Sequence, residues 1–165
     1  MPRRLHLLLA SLLGLLLIRL PIPAAEASRL DFMPAADAAI VDAQMPGARL
    51  LPGGIRFREK TPGSGAFIRK GDRVNALYVG RLIDGRIFNQ KRSRLHTYWF
   101  EVGAQPRQII RGWEQVMPLM QSGGTYEVAI PSEFGYREHG RPGQVPPHAT
   151  LIFEIEILEV IRDGS

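Results

Sequence analysis

The feature that most constrains this 165-residue chain is a series of short apolar segments, punctuated by glycine and proline, that begins at Pro52. Side chains of a β-strand point alternately to two faces, so short alternating runs separated by turn residues predict a β-rich domain. The segment from Arg73 to Leu82 alternates most clearly. One of its faces carries Val74, Ala76, Tyr78, Gly80 and Leu82. We therefore expect Tyr78 to face the core or a pocket within it.

The rest of the domain supplies four more strand-like segments and one helical segment. The strand-like segments are residues 54–60, 98–102, 125–130 and 151–160. A short helix is predicted over residues 111–119, because Trp113, Val116 and Met117 recur at helical spacing and Pro118 discourages extension. The length of the chain suits one buried core. These elements predict the α+β class, with a mostly antiparallel sheet of about five strands half-wrapped around one short helix.

The connection between the last two predicted strands, residues 131–149, is rich in glycine and proline. Structureless connections longer than roughly 12 to 15 residues are uncommon in compact domains and are usually functional. This loop is therefore expected to contribute to a functional site.

The first 27 residues have the composition of an export signal. Arg3 and Arg4 precede an apolar run over residues 7–18, and Ala25-Glu26-Ala27 follows as a cleavage site of the A-x-A type. A membrane-spanning helix needs roughly 20 apolar residues, whereas Arg19 interrupts this run. The pattern predicts a cleaved signal peptide over residues 1–27 and an exported protein, in the bacterial periplasm or secreted. Contact with the membrane is expected only through an uncleaved signal.

The mature chain divides into two parts. Residues 28–51 lack sustained periodicity and are predicted to be a flexible N-terminal lead-in, in which only residues 35–41 could form a short helix. Residues 52–165 are predicted to form the folded domain. The sequence does not indicate an oligomeric state.

Composition excludes several classes of function. The chain has no cysteine, which excludes disulfides and a lipid attached to cysteine. Without residues 1–27, 18 basic and 15 acidic residues remain, and their scatter does not predict a nucleic-acid partner. The histidines are not at metal-ligand spacing, so we expect neither a metal nor another cofactor.

Three motifs carry a resemblance to a known family. They are Tyr78-Val79-Gly80-Arg81-Leu82-Ile83-Asp84-Gly85-Arg86-Ile87-Phe88, then Ile109-Ile110-Arg111-Gly112-Trp113-Glu114, then Val145-Pro146-Pro147-His148-Ala149-Thr150-Leu151-Ile152-Phe153. In this order and at nearly this spacing, they resemble the FKBP-type peptidyl-prolyl cis/trans isomerases. The resemblance runs from about Pro52 to Arg162 and implies a half-wrapped antiparallel sheet over a short helix.

The resemblance also implies a proline-binding pocket with Trp113 as its floor. The residues it assigns to catalysis are Tyr78, Phe88, Asn89, Trp113, Tyr136 and Phe153. Those it assigns to substrate binding are Tyr98, Ile109, Ile110 and Val145, the last on the loop side of the pocket. The Tyr136 hydroxyl and the Ile110 N–H are expected to bond substrate carbonyls. The implied partners are unfolded or partly folded proline-containing polypeptides, and immunosuppressant macrolides as ligands.

One position departs from the family pattern. The residue after Phe88 is usually aspartate and is here Asn89, which keeps an acceptor oxygen but carries no charge. This leaves open a catalytically weak binding or chaperone module for proline-containing segments. A signal-anchored protein that only spaces other components is a third alternative. The loop containing Arg141 and Gln144 is expected to sense the residues that flank the proline.

Overall fold

The computed structural model describes residues 31–162, and the predicted signal peptide lies outside them. The α-helices are α1 (Ala35–Gln44) and α2 (Arg111–Val116). The strands are β1 (Arg49–Leu51), β2 (Ile55–Thr61), β3 (Arg73–Leu82), β4 (Ile87–Lys91), β5 (Tyr98–Glu101), β6 (Thr125–Ile130) and β7 (Leu151–Ile161). Short 3₁₀ turns lie at Met117–Leu119, Ser132–Phe134 and Arg137–His139.

The strands form one antiparallel sheet with the order β1-β2-β6-β7-β3-β4, and β5 pairs with β3 beside β4. The longest pairing joins β3 and β7, from Arg73 opposite Ile161 to Leu82 opposite Leu151. The predicted α+β fold is confirmed, although the sheet has seven strands rather than about five. The two that the sequence pattern missed, β1 and β4, are short strands that each pair with one neighbour. Their burial patterns give little alternation to detect.

Helix α2 packs across one face of this sheet and closes the main core. Its residue Trp113 is buried, and Val116 and Met117 are fully buried with the inward-facing side chains of β2, β3, β6 and β7. Fully burying one such aliphatic side chain stabilises the fold by roughly 1.5 to 3 kcal/mol. The predicted helix over 111–119 continues after α2 as the 3₁₀ turn that contains Pro118.

Residues 31–51 differ from the flexible lead-in that the sequence suggested. Helix α1 is longer than the predicted residues 35–41, and it packs on the sheet face opposite α2. Its Val41 is buried with Met33, Met45 and Ala129 in a second apolar cluster. Many apolar residues of this segment are alanines at neighbouring positions, so no single helical face stands out in the sequence.

A buried arginine fastens the same segment to the sheet. The Arg56 guanidinium on β2 lies 2.7 Å from the Asp31 carboxylate and 3.0 Å from the Asp42 carboxylate, and it also donates to the Gly54 carbonyl. Arg56 is only 6% exposed. A charge this well buried is tolerated only when it is paired and hydrogen-bonded. Residues 31–51 are therefore part of the folded unit.

The helices within residues 31–162 are all short. None of them is long and apolar enough to cross a membrane.

Candidate functional site

A cavity of about 520 Å³ opens beside the N-terminal end of α2. Nine of the ten residues that the resemblance assigned to the site line it: Tyr78, Phe88, Asn89, Tyr98, Ile109, Ile110, Trp113, Tyr136 and Phe153. These residues come from β3, β4, β5, β7, the segment before α2, α2 itself and the loop after β6. The fold thus brings together residues that lie up to 75 positions apart in the chain.

The Trp113 indole forms the floor of this cavity and is only 3% exposed. Its ring centroid lies 5.3 Å from Tyr78 and 5.3 Å from Phe153, both in edge-to-face geometry, and 5.7 Å from Phe100. Aromatic pairs at such separations add to the stability gained from burial. Within residues 31–162, the buried Trp113 Nε1–H has no hydrogen-bond partner. The floor is therefore closely packed and shielded from water.

One side wall is formed by Phe88 and Phe153, whose centroids are 5.6 Å apart. Phe88 also meets Tyr136 edge-to-face at 6.4 Å. Gly80 on β3 lies behind both phenylalanines: a Cβ there would be 2.8 Å from Phe88 Cζ and 2.9 Å from Phe153 Cε1. The glycine of the first motif is thus required for the close approach of these two rings.

Two tyrosines keep their hydroxyl protons in this environment. Burial raises the pKa of Tyr78, and the neighbouring Tyr98 and Tyr136 add to the increase while Arg141 opposes it. Burial also raises the pKa of Tyr98. Because an unperturbed tyrosine already titrates near pH ~10, both phenols are neutral at physiological pH.

Tyr98 has a structural task beside the cavity. Its hydroxyl donates a hydrogen bond of 2.8 Å to the Gln108 carbonyl, and the Gln108 side-chain oxygen accepts one of 2.8 Å from the Glu101 N–H. These bonds fix the segment that leads into α2. Ile109 and Ile110 follow directly, so their positions on the cavity wall are set before the helix begins.

The Ile110 N–H and the Tyr136 hydroxyl are, among the described residues, two unpaired hydrogen-bond donors at the cavity. The Ile110 carbonyl accepts from the N–H groups of Trp113 and Glu114, but the Ile110 N–H has no partner within residues 31–162. The same holds in that range for the Tyr136 hydroxyl, although its backbone carbonyl accepts a 3.0 Å bond from Gly140. Both donors are available to a bound carbonyl.

Asn89 lies on β4 opposite Gly80 and lines the cavity. Its side chain makes no hydrogen bond to Tyr78 in the structure, and no other partner is found for it within the described part of the chain. No carboxylate from residues 31–162 lines the cavity. At this position the cavity wall therefore carries a neutral amide rather than a carboxylate.

Val145 is the one predicted site residue that the structure does not bring to the cavity. It is buried in the main core at 4% exposure, and its backbone pairs with Arg141 across a tight turn. The prediction that Val145 lines the pocket was therefore wrong in geometry. Its side chain supports the loop from behind instead.

Three polar residues on the cavity wall were not assigned to the site from the sequence: Lys91, Arg107 and Gln108. Lys91 ends β4, and the other two precede α2. Isolated basic and amide residues carry no periodic signal, so only the folded structure shows that these three line the cavity. Across residues 31–162, no cluster of three metal-ligating side chains is present.

Comparisons with known proteins agree with this geometry. Residues 65–158 match the family model described as FKBP-type peptidyl-prolyl cis-trans isomerase. The chain is 36% identical over 120 residues to the FKBP-type 22 kDa peptidyl-prolyl cis-trans isomerase of Escherichia coli, covering 73% of this chain and 56% of the relative. It is 38% identical over 108 residues to the FK506-binding protein of Neisseria meningitidis serogroup B, covering 66% of this chain and 97% of that protein.

The fold is similar to that of solved isomerases as well. A crystal structure of a peptidyl-prolyl cis-trans isomerase from Pseudomonas syringae superimposes with a TM-score of 0.67 at 30% identity, covering 87% of this chain and 99% of that one. Since the chain spans little more than half of its E. coli relative, the comparisons address the isomerase domain and not every segment of such relatives. With more than half of its residues matched, the chain belongs to the FKBP-type peptidyl-prolyl cis-trans isomerase family.

Proposed function

We propose that this protein accelerates rotation about X-Pro peptide bonds in exported polypeptides during their folding. The observation that carries this proposal is the aromatic cavity floored by Trp113, with the unpaired Ile110 N–H and Tyr136 hydroxyl at its wall. The cavity volume lies within the usual range for small-ligand sites, about 300 to 1,000 Å³. A proline ring with its flanking backbone is of a suitable size and polarity for it.

The reaction needs no covalent step. Resonance in the planar peptide bond sets a barrier of roughly 18 to 20 kcal/mol, and uncatalysed X-Pro isomerisation takes tens to hundreds of seconds. In the half-rotated state the resonance is lost and the carbonyl is less polar than in the planar forms. A dry, apolar site therefore favours the half-rotated state, and each ~1.4 kcal/mol of this preference gives a tenfold rate.

The cavity residues divide this work between them. Tyr78, Phe88, Trp113 and Phe153 form the apolar enclosure that holds the proline ring. Ile109 extends the apolar wall, and Tyr98 fixes the segment that carries it. Because these side chains are packed on one another before substrate arrives, little ordering has to accompany binding.

The unpaired donors are proposed to hold the substrate backbone on both sides of the rotating bond. A carbonyl of the bound segment would accept from the Ile110 N–H, and another would accept from the Tyr136 hydroxyl. With its neighbouring carbonyls fixed, the peptide bond rotates while the rest of the segment stays in place. Asn89 would face the carbonyl of the rotating bond with an amide rather than a carboxylate.

The setting of this activity follows from the N-terminal sequence. Residues 1–27 are proposed to be a cleaved export signal, which places the mature protein outside the cytoplasm, in the periplasm if the source is a bacterium with two membranes. Its clients would be proline-containing polypeptides that fold after export. Because one relative is an FK506-binding protein, a macrolide of that type is proposed as a ligand for the same cavity.

The test is the cis-to-trans rate of a short X-Pro peptide with the purified protein. We expect acceleration by the natural protein and its loss in Trp113→Ala. The matched control is Trp99→Ala, because Trp99 is the other tryptophan of the chain, is 40% exposed and does not line the cavity. Equal activity in Trp113→Ala and Trp99→Ala would reject the cavity as the site.

Asn89 supports a second candidate function, a binding module with little turnover. The same assay with Asn89→Asp separates the two. Acceleration by the natural protein supports the isomerase. If the natural protein is silent and Asn89→Asp becomes active, the natural chain is a module that binds proline-containing segments.

A further inference from the structure

The mouth of the proposed proline cavity is basic. The cavity itself is lined by the cations Lys91, Arg107 and Arg141. A second cleft adjoins it and is lined by Arg107, Arg111 and Arg137 together with Ile110 and Gly135. Because Arg107 and Ile110 line both, the two form one continuous groove. Among residues 31–162, no aspartate or glutamate lines either part.

Two of the five cations are balanced by nearby carboxylates. Arg107 Nε lies 2.8 Å from Glu114 on α2. Arg137 lies 3.4 Å from Glu133 and also donates to the Glu133 carbonyl. These two pairs leave a net surplus of positive charge along the groove.

The other three cations, Lys91, Arg111 and Arg141, have no ion-pair partner in the described part of the chain. The arginines rest on aromatic rings instead. The Arg141 guanidinium lies 6.0 Å from the centroid of Tyr136, and the Arg111 guanidinium lies 5.7 Å from that of Phe134. A ring contact holds a guanidinium in position without neutralising its charge.

The backbone around Arg141 is also held in place. The Arg141 N–H donates to the Val145 carbonyl at 2.7 Å, and the Val145 N–H returns a bond of 2.8 Å to the Arg141 carbonyl. Burial raises the pKa of the Tyr78 hydroxyl in the cavity, and the charge of Arg141 partly opposes that rise. A fixed cation thus faces the volume that a bound proline would occupy.

From this arrangement we propose that the groove selects proline segments that carry an acidic residue directly beside the proline. A guanidinium matches a carboxylate in both charge and fork geometry. Arg141 lines the cavity, and Arg111 directly follows Ile110, which lines it too. The residues beside a bound proline would therefore lie near these two cations. The inference rests on the proposed isomerase function and names the class of client for it.

The test compares peptides that differ only in charge. One pair carries Glu or Gln directly before the proline, and a second pair carries Glu or Gln directly after it. At low salt we expect kcat/KM to favour Glu over Gln roughly three- to fivefold in at least one pair, the upper range for an exposed ion pair. The ratio should approach one at high salt, where the Debye length shortens to roughly 3 Å.

Two variants locate the effect. In the double variant Arg111→Gln with Arg141→Gln, the Glu-to-Gln ratio should fall to near one at low salt. Arg49→Gln is the matched control, because Arg49 on β1 also rests on a ring, 5.4 Å from the centroid of Phe57, but lines neither cleft. Arg49→Gln also removes one positive charge, and its Glu-to-Gln ratio of kcat/KM should equal that of the natural protein.

The outcomes separate this inference from the proposed function. Turnover of the Gln peptides with a Glu-to-Gln ratio near one in both pairs overturns the acidic preference and leaves the isomerase intact. A ratio that survives in the double variant overturns it as well. If no peptide is turned over, the isomerase proposal fails. The acidic preference is then tested by the affinities of the same four labelled peptides, measured by fluorescence anisotropy. Tighter binding of Glu than of Gln peptides supports it, and equal affinities overturn it.

Discussion

Gly80→Ala tests whether the packing of the cavity wall controls activity. Gly80 lies on β3, with an ordinary strand backbone rather than a left-handed one, so alanine suits its conformation. In an open strand the exchange would stabilise the protein by roughly 0.5 to 1 kcal/mol. Here the added Cβ would lie 2.8 Å from Phe88 Cζ and 2.9 Å from Phe153 Cε1. Whether Gly80→Ala stabilises or destabilises the protein therefore depends on how far these two rings can move.

The size of the effect follows from the distances. Carbon atoms in contact are normally about 3.5 to 4.0 Å apart, so each ring must retreat by at least ~0.6 Å. Phe153 is held against Trp113, and Phe88 is held against Tyr136. Overpacking of this kind costs typically about 1 to 3 kcal/mol of unfolding free energy. Because displacements near 1 Å cost catalysis about a hundredfold, we expect kcat/KM to fall roughly ten- to hundredfold.

The assay pairs urea unfolding with peptide isomerisation, measured well below the melting temperature. Gly85→Ala is the matched control, because Gly85 has a φ of +87° and an added Cβ would meet nothing within 4 Å. Its left-handed backbone makes alanine cost roughly 1 to 2 kcal/mol, a similar loss of stability without moving a ring. If Gly80→Ala keeps full activity, or if Gly85→Ala loses as much activity, the reasoning is refuted.

Three further outcomes are expected. Tyr136→Phe should lower kcat/KM about two- to tenfold, with an unchanged urea midpoint, because one neutral hydrogen bond is worth roughly 0.5 to 1.5 kcal/mol; unchanged kinetics would remove the hydroxyl from the mechanism. Asp31→Ala should lower the unfolding free energy by about 1 to 3 kcal/mol, because it removes one of the two carboxylates paired with the buried Arg56. Its kcat/KM should stay the same, and a loss of activity in the still-folded variant would contradict this. The Arg162 guanidinium holds the pKa of Asp72 below its ordinary value of about 4. The stability gained from the Asp72 carboxylate is therefore complete above pH ~4 and is lost as the pH falls through the lower pKa of the folded state. The unfolding free energy of Asp72→Asn, measured in urea, should depend less on acid pH than that of the natural protein. An identical pH dependence would show that the Asp72–Arg162 pair does not stabilise the fold.

Much of the domain could be predicted from local pattern. The bounds of the alternating segment, residues 73–82, coincide with those of β3, and the interval between Trp113 and Met117 marks the helical turn that covers the core. Such periodicities are properties of single elements, and they appear in the sequence because each element buries one face. The motifs around Tyr78, Trp113 and Phe153 then identified the family and most of the cavity.

Other features depended on contacts between distant residues. Many apolar residues in 31–51 are alanines at neighbouring positions, so no single apolar face stands out in the sequence. The place of this segment was decided by the burial of Val41 against Ala129 of the sheet and by the buried charge of Arg56. Val145 has the sequence context of a site residue, yet packing directs its side chain into the core.

The sequence by itself determined the class of fold, the family and the identity of the aromatic residues at the site, since these depend on residue type and spacing along the chain. Only the tertiary structure decided which cations border the cavity and which are neutralised. Lys91, Arg111 and Arg141 lie far apart in sequence and carry no shared pattern, and they meet along one groove because β4, α2 and the loop after β6 converge there. Charge acts through space, so its arrangement around a site becomes defined only when the chain has folded.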